Sequence, residues 1–290
     1  MEAGGAQHLV LTAAAGGREF YRSAWPATYC GPLSVYQRYG SELGPQPKPA
    51  PGDPYFGERM IRWMSARLPR FTKLTTRDGA KSDFVIQAED GSAQFDLMDP
   101  AAFDQLAAYV ERRFPTDFER MLALYCLDLE PAIGRHNSGG HHLMVRAEPI
   151  SILRGNFAGG GGNCGFHSAL FAGLAAHLHI SGRRLGARTV PVWGHDIMAL
   201  DWRGSRALFD NDAGNLFFTP DGSDFATIEE FRANPWLLSS AGPGTIGRYY
   251  SFSEEEVRSG EPGVGGVAGP GIFPASSGSE MVRVEKRLGP

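Results

Sequence analysis

A cysteine lies where a glycine-rich segment changes into an apolar helical pattern. The chain reads Gly-Gly-Asn-Cys-Gly over residues 161–165, with the cysteine at position 164. Apolar residues then recur four apart, at Phe166, Leu170, Leu174 and Leu178, a spacing typical of one helix face. The unpaired N–H groups and the positive dipole end at a helix start stabilise a thiolate relative to a thiol. This context predicts that Cys164 is a nucleophile near neutral pH.

The residues beside Cys164 are expected to form the loop that meets a substrate. Glycines just upstream, Gly162 among them, let the backbone approach a substrate carbonyl closely because they have no side chain. The Cys164 N–H is a candidate donor to the oxyanion that forms when a thiolate attacks that carbonyl. We therefore expect Gly162, Asn163 and Gly165 to form an oxyanion and substrate loop around Cys164.

A thiolate that attacks an amide also needs a proton shuttle for the leaving amine. His195 opens a predicted strand, and Asp210, fifteen positions later, ends the next one. A hairpin turn at Arg203-Gly204 would return Asp210 to a place beside His195, where its carboxylate could hold the imidazole tautomer. Other carboxylates near this hairpin are Asp196, Asp201 and Asp212. Strand alternation disfavours the first two, whereas the third stays the rival of Asp210.

The order of these residues resembles that of the transglutaminase-like superfamily, which includes transglutaminases, peptide N-glycanases and bacterial peptidases. That pattern is a glycine-preceded Cys at a helix start, a His opening a strand, a short turn, and an Asp ending the next strand. Here it reads Gly162-Asn163-Cys164, Gly194-His195-Asp196, Trp202-Arg203-Gly204 and Leu208-Phe209-Asp210. The resemblance covers residues 155–215, and the chain departs from it at Gly165 and Ile197, where the family often has aromatic residues.

The resemblance implies a papain-like core, in which the helix carrying the Cys packs on an antiparallel sheet. With the N-terminal helical portion that periodicity and caps predict below, the expected fold class is α+β. The resemblance also implies a catalytic triad of Cys164, His195 and Asp210. The expected reaction is acyl transfer through a thioester on an amide or peptide substrate, by a hydrolase or an amide-forming acyltransferase with an amine acceptor. That chemistry requires no cofactor. The alternative is a non-catalytic module that binds a peptide or protein and keeps a vestigial triad.

Other chemistry-bearing residues favour simpler interpretations. Cys30 and Cys126 are expected to be small buried apolar residues. A metal site could be assembled from His136, His141, His142, Cys164 and His167, but nothing in the sequence brings these residues together, so we predict no metal. The glycine run 159–162 lacks the Gly-Lys-Ser/Thr ending of a phosphate-binding loop, and so a substrate-facing loop is favoured.

The elements that must position these residues can be predicted from periodicity, caps and turns. We expect helices over 54–68, 100–114 and 117–128, a hairpin over 84–97, strands over 143–153, 189–193, 197–202 and 205–209, a helix from Cys164 to near Gly182, and a last helix at Thr227. These elements predict four segments. They are a loop-rich first segment (1–52), an N-terminal helical region (53–142), a transglutaminase-like catalytic core (143–258) and a Gly/Pro/Ser-rich tail expected to be disordered (259–290).

Composition limits the classes of function. The chain has 290 residues and 42% hydrophobic content, enough to bury a substantial core. Its formal net charge is only -4 and it has no run of Lys or Arg, which disfavours nucleic acid and an anionic membrane as partners. An odd number of cysteines, 3, and the absence of a basic, apolar leader pattern favour a reducing compartment, and we expect a cytoplasmic protein.

Overall fold

The computed structural model describes residues 7–15, 18–26, 47–51, 53, 56–128, 149–157, 164–188, 194–211, 215–233, 238–239 and 282–288. The helices in this part are α1 (Phe56–Ser65), α2 (Ala102–Arg113), α3 (Asp117–Asp128), α4 (Pro149–Phe157), α5 (Cys164–His177) and α6 (Ile228–Ala233). The strands are β1 (Gln7–Ala15), β2 (Arg18–Pro26), β3 (Phe71–Thr75), β4 (Lys81–Ala88), β5 (Gln94–Asp96), β6 (Gly182–Arg188), β7 (Gly194–Trp202), β8 (Ser205–Asp210), β9 (Asn215–Phe218), β10 (Leu238–Ser239) and β11 (Val282–Leu288). The protein is therefore a mixed α+β fold, as expected from the sequence.

The described strands form three antiparallel sheets. One sheet has five strands in the order β10-β9-β8-β7-β6, and the other two have three strands each, in the orders β3-β4-β5 and β11-β1-β2. Helix α5 packs on β6 and β7 of the five-stranded sheet and also contacts α2, α3 and α4. The helix that begins at Cys164 is thus surrounded by other elements, which explains why it is apolar on every side. No helix in the described ranges is long and apolar enough to span a bilayer.

The predicted N-terminal helices are confirmed as α1, α2 and α3, and they turn their apolar faces to one core. Fully buried residues include Met60, Ile61 and Met64 of α1, Val110 of α2, and Met121, Leu122 and Tyr125 of α3. In α1 and α2 the buried positions recur at three- and four-residue intervals, so each of these two helices buries one stripe. Helix α3 is buried on every side from Met121 to Asp128. Burial of that apolar surface stabilises the helices more than their intrinsic propensity does.

Two helix starts carry the side-chain caps that the sequence predicts. The hydroxyl of Thr116 accepts a hydrogen bond from the N–H of Glu119 at 3.2 Å, just before α3. Ahead of α6, the Glu230 N–H donates to the Thr227 hydroxyl at 3.2 Å, and the Thr227 N–H donates to the Glu230 carboxylate at 2.8 Å. The second pair is a reciprocal capping box, which satisfies two backbone donors that have no partner inside the helix.

The two predicted hairpins are also present. Strands β4 and β5 flank the turn at Asp90-Gly91, and β7 and β8 are joined through Arg203-Gly204. Arg203 and Gly204 have φ values of 48° and 83°, the pair of positive values that a two-residue type I′ turn requires. Trp202 pairs directly with Ser205 across this turn, which fixes the register of β7 and β8.

The strand prediction over 143–153 is wrong for its second half, because α4 is helical from Pro149 to Phe157. Short apolar runs do not distinguish a strand from a buried helix, and packing decides here. A Cβ at Gly173 of α5 would lie 2.4 Å from the Pro149 Cβ, so the glycine permits close approach of the two helices. The remainder of the prediction, residues 143–148, and the predicted strand 189–193 lie outside the described residues.

The segment expected to be loop-rich, 1–52, contains the two nine-residue strands β1 and β2. Strand β11 lies within the tail, 259–290, that was expected to be disordered, and it pairs with β1 from Val282 opposite Ala13 to Leu288 opposite Gln7. This sheet joins the two ends of the chain, so no local sequence signal reports the pairing. Strands β3, β6, β9 and β10 were likewise not predicted.

Candidate active site

Helix α5 begins at Cys164, as predicted. Gly165 is its second residue and is buried. Gly162 and Asn163, the other two residues of the predicted oxyanion and substrate loop, lie outside the described residues, as does the side chain of Cys164. The structure therefore places the backbone of Cys164 in the first turn of a helix, where the dipole favours a thiolate.

The far end of α5 is fixed against the far end of β7. After α5 the chain reaches Ser181, whose carbonyl oxygen accepts a hydrogen bond from the Asp201 N–H at 2.7 Å, and Gly182 pairs with Leu200. From there α5 runs about 21 Å back to Cys164 at 1.5 Å per residue. Strand β7 covers about 20 Å between residues 201 and 195 at 3.3 Å per residue. Cys164 and His195 therefore lie at the same end of the helix and sheet.

The hairpin brings Asp210 to this same end. Strand β8 runs antiparallel to β7, with Met198 opposite Phe209. Extending this register by one residue places Ile197 opposite Asp210, and His195 is two positions from Ile197. Since residues two apart on a strand share a face, positions 195 and 210 fall on one face, in neighbouring rows. The side chain of His195 lies outside the described residues.

The face that holds these two positions is not the face covered by α5. Phe209 alternates with Asp210, and its ring lies 5.2 Å from the ring of Phe171 in α5. Met198 and Leu200 belong to the same buried cluster as Phe171, whereas Ile197 does not. The structure thus brings positions 195 and 210 together, and it places Cys164 at the same end of the sheet but on a helix that crosses the other face.

Helix α3 contacts both the middle of α5 and the end of β8. The Tyr125 hydroxyl donates a buried hydrogen bond to the carbonyl oxygen of Asp210 at 3.0 Å. The Tyr125 ring also lies 6.0 Å from the ring of Phe171, edge to face at 89°. One side chain of α3 therefore contacts both the helix that begins at Cys164 and the residue proposed to orient His195.

Asp210 is fully buried, with a relative exposure of 0%, and a carboxylate in such a place requires polar partners. The other candidate carboxylates differ in position. Asp201 is exposed, accepts a hydrogen bond from the Ser181 hydroxyl, and lies at the opposite end of β7 from His195. The side chain of Asp196 and the whole of Asp212 lie outside the described residues, so the rivalry between Asp210 and Asp212 stays open.

Two polar residues near Cys164 were not assigned to the site by sequence reasoning. His167, one turn after Cys164, is 1% exposed, and Asp128, the last residue of α3, is 0% exposed. The Nδ1 atom of His167 lies 3.7 Å from Oδ2 of Asp128. The three-residue spacing of Cys164 and His167 was visible in the sequence and places both on one helix face, but no sequence signal points to Asp128.

A third polar residue, Asn211, directly follows Asp210 and is 2% exposed. Neither atom of its side-chain amide has a hydrogen-bond partner in the described part of the chain. A buried amide of this kind costs about 1–3 kcal/mol unless a partner is present. It therefore marks the end of β8 as a place with unused hydrogen-bonding capacity.

A surface cleft of about 230 Å³ lies at the opposite end of the sheet from Cys164. Its lining residues are Glu111, Asp117, Arg120, Leu178, His179, Ile180, Asp201, Trp202 and Arg203. Arg120 donates to Asp117 at 3.1 Å and Arg203 pairs with Asp224, so both cations already have acidic partners. The cleft contains no candidate nucleophile and is separate from the site described above.

No group of three or more His, Cys, Asp or Glu side chains in the described ranges is arranged to hold a metal ion. His136, His141 and His142, the other residues considered for a metal site, lie outside these ranges. Comparisons with known proteins add no assignment, because no protein family, no curated protein and no solved structure matches this chain.

Proposed function

We propose that this protein is a cysteine-dependent enzyme of the transglutaminase-like type, with a papain-like core and the triad Cys164, His195 and Asp210. The Cys164 thiolate attacks the carbonyl carbon of an amide or peptide substrate. The C–N bond breaks, and the amine leaves with a proton from His195. The thioester is then cleaved by water, which gives the acid, or by an amine acceptor, which gives a new amide. Cleavage of the thioester by either water or the amine regenerates the Cys164 thiol, and neither reaction requires a cofactor.

The observation that carries this proposal is the convergence of three chain positions at one end of the five-stranded sheet. Helix α5 starts there with Cys164, β7 starts there at Gly194, directly before His195, and β8 ends there with Asp210. The shared face of positions 195 and 210 supports the assignment of the carboxylate that orients the imidazole. The helix start supports Cys164 as nucleophile, and its N–H, with the neighbouring residues Gly162, Asn163 and Gly165, as the oxyanion site.

One observation favours the second candidate, a non-catalytic module that binds a peptide or protein. Positions 195 and 210 share the face of the sheet that α5 does not cover, so a contact between Cys164 and His195 has to be made around the ends of the strands. A vestigial triad does not need this contact.

Between the two enzymatic outcomes, hydrolysis is favoured over transfer because it needs only a water beside His195, whereas transfer needs a pocket that holds an amine and excludes water.

The pH dependence of alkylation separates an enzyme from a binding module. We would treat the folded protein with iodoacetamide between pH 5 and pH 10 and quantify each cysteine-containing peptide by mass spectrometry. Cys126 is an internal reference, because burial raises the pKa of its thiol to about 12. If the proposal is correct, Cys164 reacts with a midpoint well below the usual value of about 8.5. An ordinary midpoint for Cys164, or protection from alkylation like that of Cys126, would refute the assignment of Cys164 as the nucleophile.

Acylation then tests the triad and the acceptor. With p-nitrophenyl acetate as probe, the wild type should release p-nitrophenolate and gain an acetyl group on Cys164, and Cys164→Ser should do neither while keeping its fold. Asp210→Asn should slow acylation more than Asp212→Asn, and the reverse ranking would replace Asp210 by Asp212. Addition of a graded series of primary amines should leave acetate as the main product. Saturable formation of the amide would instead identify an acyltransferase.

A further inference from the structure

The pair formed by Asp128 and His167 is costly in its position. Asp128 is the last residue of α3, where the negative end of the helix dipole disfavours a carboxylate. It is also fully buried, and desolvation raises the cost of the charge further. A protonated imidazole at 3.7 Å offsets both costs, because opposite charges within about 4–6 Å favour each other's charged forms.

The same pair lies beside the first turn of α5. Residues three apart on a helix have Cβ atoms about 5–6 Å apart, so position 167 is the neighbour of position 164 on one helix face. The other residues buried along α5 are largely apolar, among them Phe166, Leu170, Phe171 and Leu174. The His167 imidazole is therefore the group of α5 nearest to position 164 that can carry a positive charge.

None of the described charged groups on the neighbouring elements is placed to supply a positive charge beside position 164. Arg154 of α4 donates to the backbone oxygen of Leu97 at 2.5 Å, and Asp104 of α2 contacts His177 at the far end of α5. On the sheet, the titratable or charged positions at this end are Arg188 of β6, which pairs with Gly194, His195 of β7, with Asp196 next to it, and Asp210 of β8. The side chains of Arg188, His195 and Asp196 lie outside the described residues.

We infer that the buried Asp128–His167 pair sets the protonation state of the Cys164 thiol, with His167 as a positioning residue that stabilises the thiolate and Asp128 as the residue that keeps His167 charged. This inference rests on the proposed function. It assigns to the same site a second imidazole, distinct from His195, which is the one that transfers the proton. His167 does not exchange protons with the substrate, since it is 1% exposed.

The test measures the alkylation midpoint of Cys164 in the variants His167→Gln and Asp128→Asn. Loss of the positive charge disfavours the thiolate, so the midpoint should rise by about one pH unit or more, and alkylation at pH 7 should slow by about tenfold. The matched control is His177→Gln, on the same helix. The His177 Nδ1 atom lies 2.6 Å from Oδ1 of Asp104, but this pair is about 20 Å along the helix from Cys164. The control should leave the midpoint unchanged.

Loss of one partner leaves the other charge buried without its counter-charge, which destabilises the fold, so folding must be checked by circular dichroism. If a single variant does not fold, the double variant Asp128→Asn with His167→Gln replaces both charges by neutral amides and should show the same rise in midpoint. A measurement on folded protein needs neither variant. NMR titration of the His167 ring should show a lower pKa in Cys164→Ser than in the wild type, because coupling between two sites is reciprocal.

The outcomes separate this inference from the proposed function. A low wild-type midpoint that stays within 0.3 pH unit, roughly a twofold change in rate, in the folded variants would overturn the inference alone. An unchanged His167 titration in Cys164→Ser would do the same. An ordinary thiol midpoint in the wild type would overturn the proposed function and this inference together.

Discussion

Replacement of Tyr125 by phenylalanine removes a hydrogen bond between α3 and the end of β8. The change removes the hydroxyl that donates to the Asp210 carbonyl oxygen at 3.0 Å. The ring stays, with its contacts to Phe171 at 6.0 Å and Phe209 at 6.3 Å. Because Tyr125 is fully buried, no solvent replaces the lost donor. The apolar part of the packing is unchanged, so the loss reports the hydroxyl, whose described partner is the Asp210 carbonyl oxygen.

The expected cost is about 1–2 kcal/mol in the free energy of unfolding, the penalty for a buried carbonyl that loses a donor. For a chain of this size that corresponds to a fall of roughly 2–8 °C in melting temperature. Urea unfolding followed by circular dichroism gives the free energy. If Asp210 orients His195, the variant should also acylate Cys164 more slowly, since the end of β8 is less firmly held.

The matched control is Tyr109→Phe, which removes a hydroxyl of the same kind far from the site. The Tyr109 hydroxyl lies 3.3 Å from the Ser92 hydroxyl, a longer and weaker contact, so the loss should be below about 1 kcal/mol, with acylation unchanged. Equal stability of Tyr125→Phe and wild type would mean that the hydrogen bond to Asp210 does not contribute. If the Tyr125→Phe variant is less stable but is still acylated at the wild-type rate, Asp210 does not take part in orienting His195.

Two further predictions concern stability. A Cβ at Gly222 would lie 2.2 Å from Cζ of buried Phe56, and the residue has φ of 65°, so Gly222→Ala should cost about 2–4 kcal/mol from clash and backbone strain together. Gly79→Ala, with φ of 84° and open space around the added Cβ, should cost only about 1–2 kcal/mol; equal losses in urea unfolding would show that Phe56 yields without cost. Burial raises the pKa of Cys126 from 9.0 to about 12, so the unfolded state loses this proton first as pH rises. Stability should therefore fall by up to about 1.4 kcal/mol per pH unit between these two values, and Cys126→Ala, measured over the same range, should show a shallower slope.

The parts of the fold that the sequence predicts are those with local causes. The caps at Thr116 and Thr227 and the turns at Asp90-Gly91 and Arg203-Gly204 depend on hydrogen bonds and backbone angles within a few residues. Each was recognised from neighbouring residues and each is present. The helix start at Cys164 belongs to this class, because a glycine-rich run followed by apolar residues four apart specifies the boundary. The burial of α5 on several sides does not follow from that spacing.

The errors have long-range causes. Residues 149–153 were predicted as a strand because an apolar run does not reveal its period, and the approach of Pro149 to Gly173 in α5 decides for a helix. Strand β11 was missed because its partner, β1, lies at the other end of the chain. Pairing between segments so far apart is specified by burial and backbone hydrogen bonding in the folded state, not by the composition of either segment.

The sequence by itself determined which residues could do chemistry: a cysteine at a helix start, a histidine at a strand start, and an aspartate at the end of the next strand. The hairpin register then followed from one turn at Arg203-Gly204. Only the tertiary structure decided that α5 covers the face opposite positions 195 and 210, and that Asp128 of α3 meets His167. These arrangements depend on how whole helices pack on the sheet. Packing is set by the combined shapes of many side chains that are distant in sequence, so a local sequence pattern does not predict it.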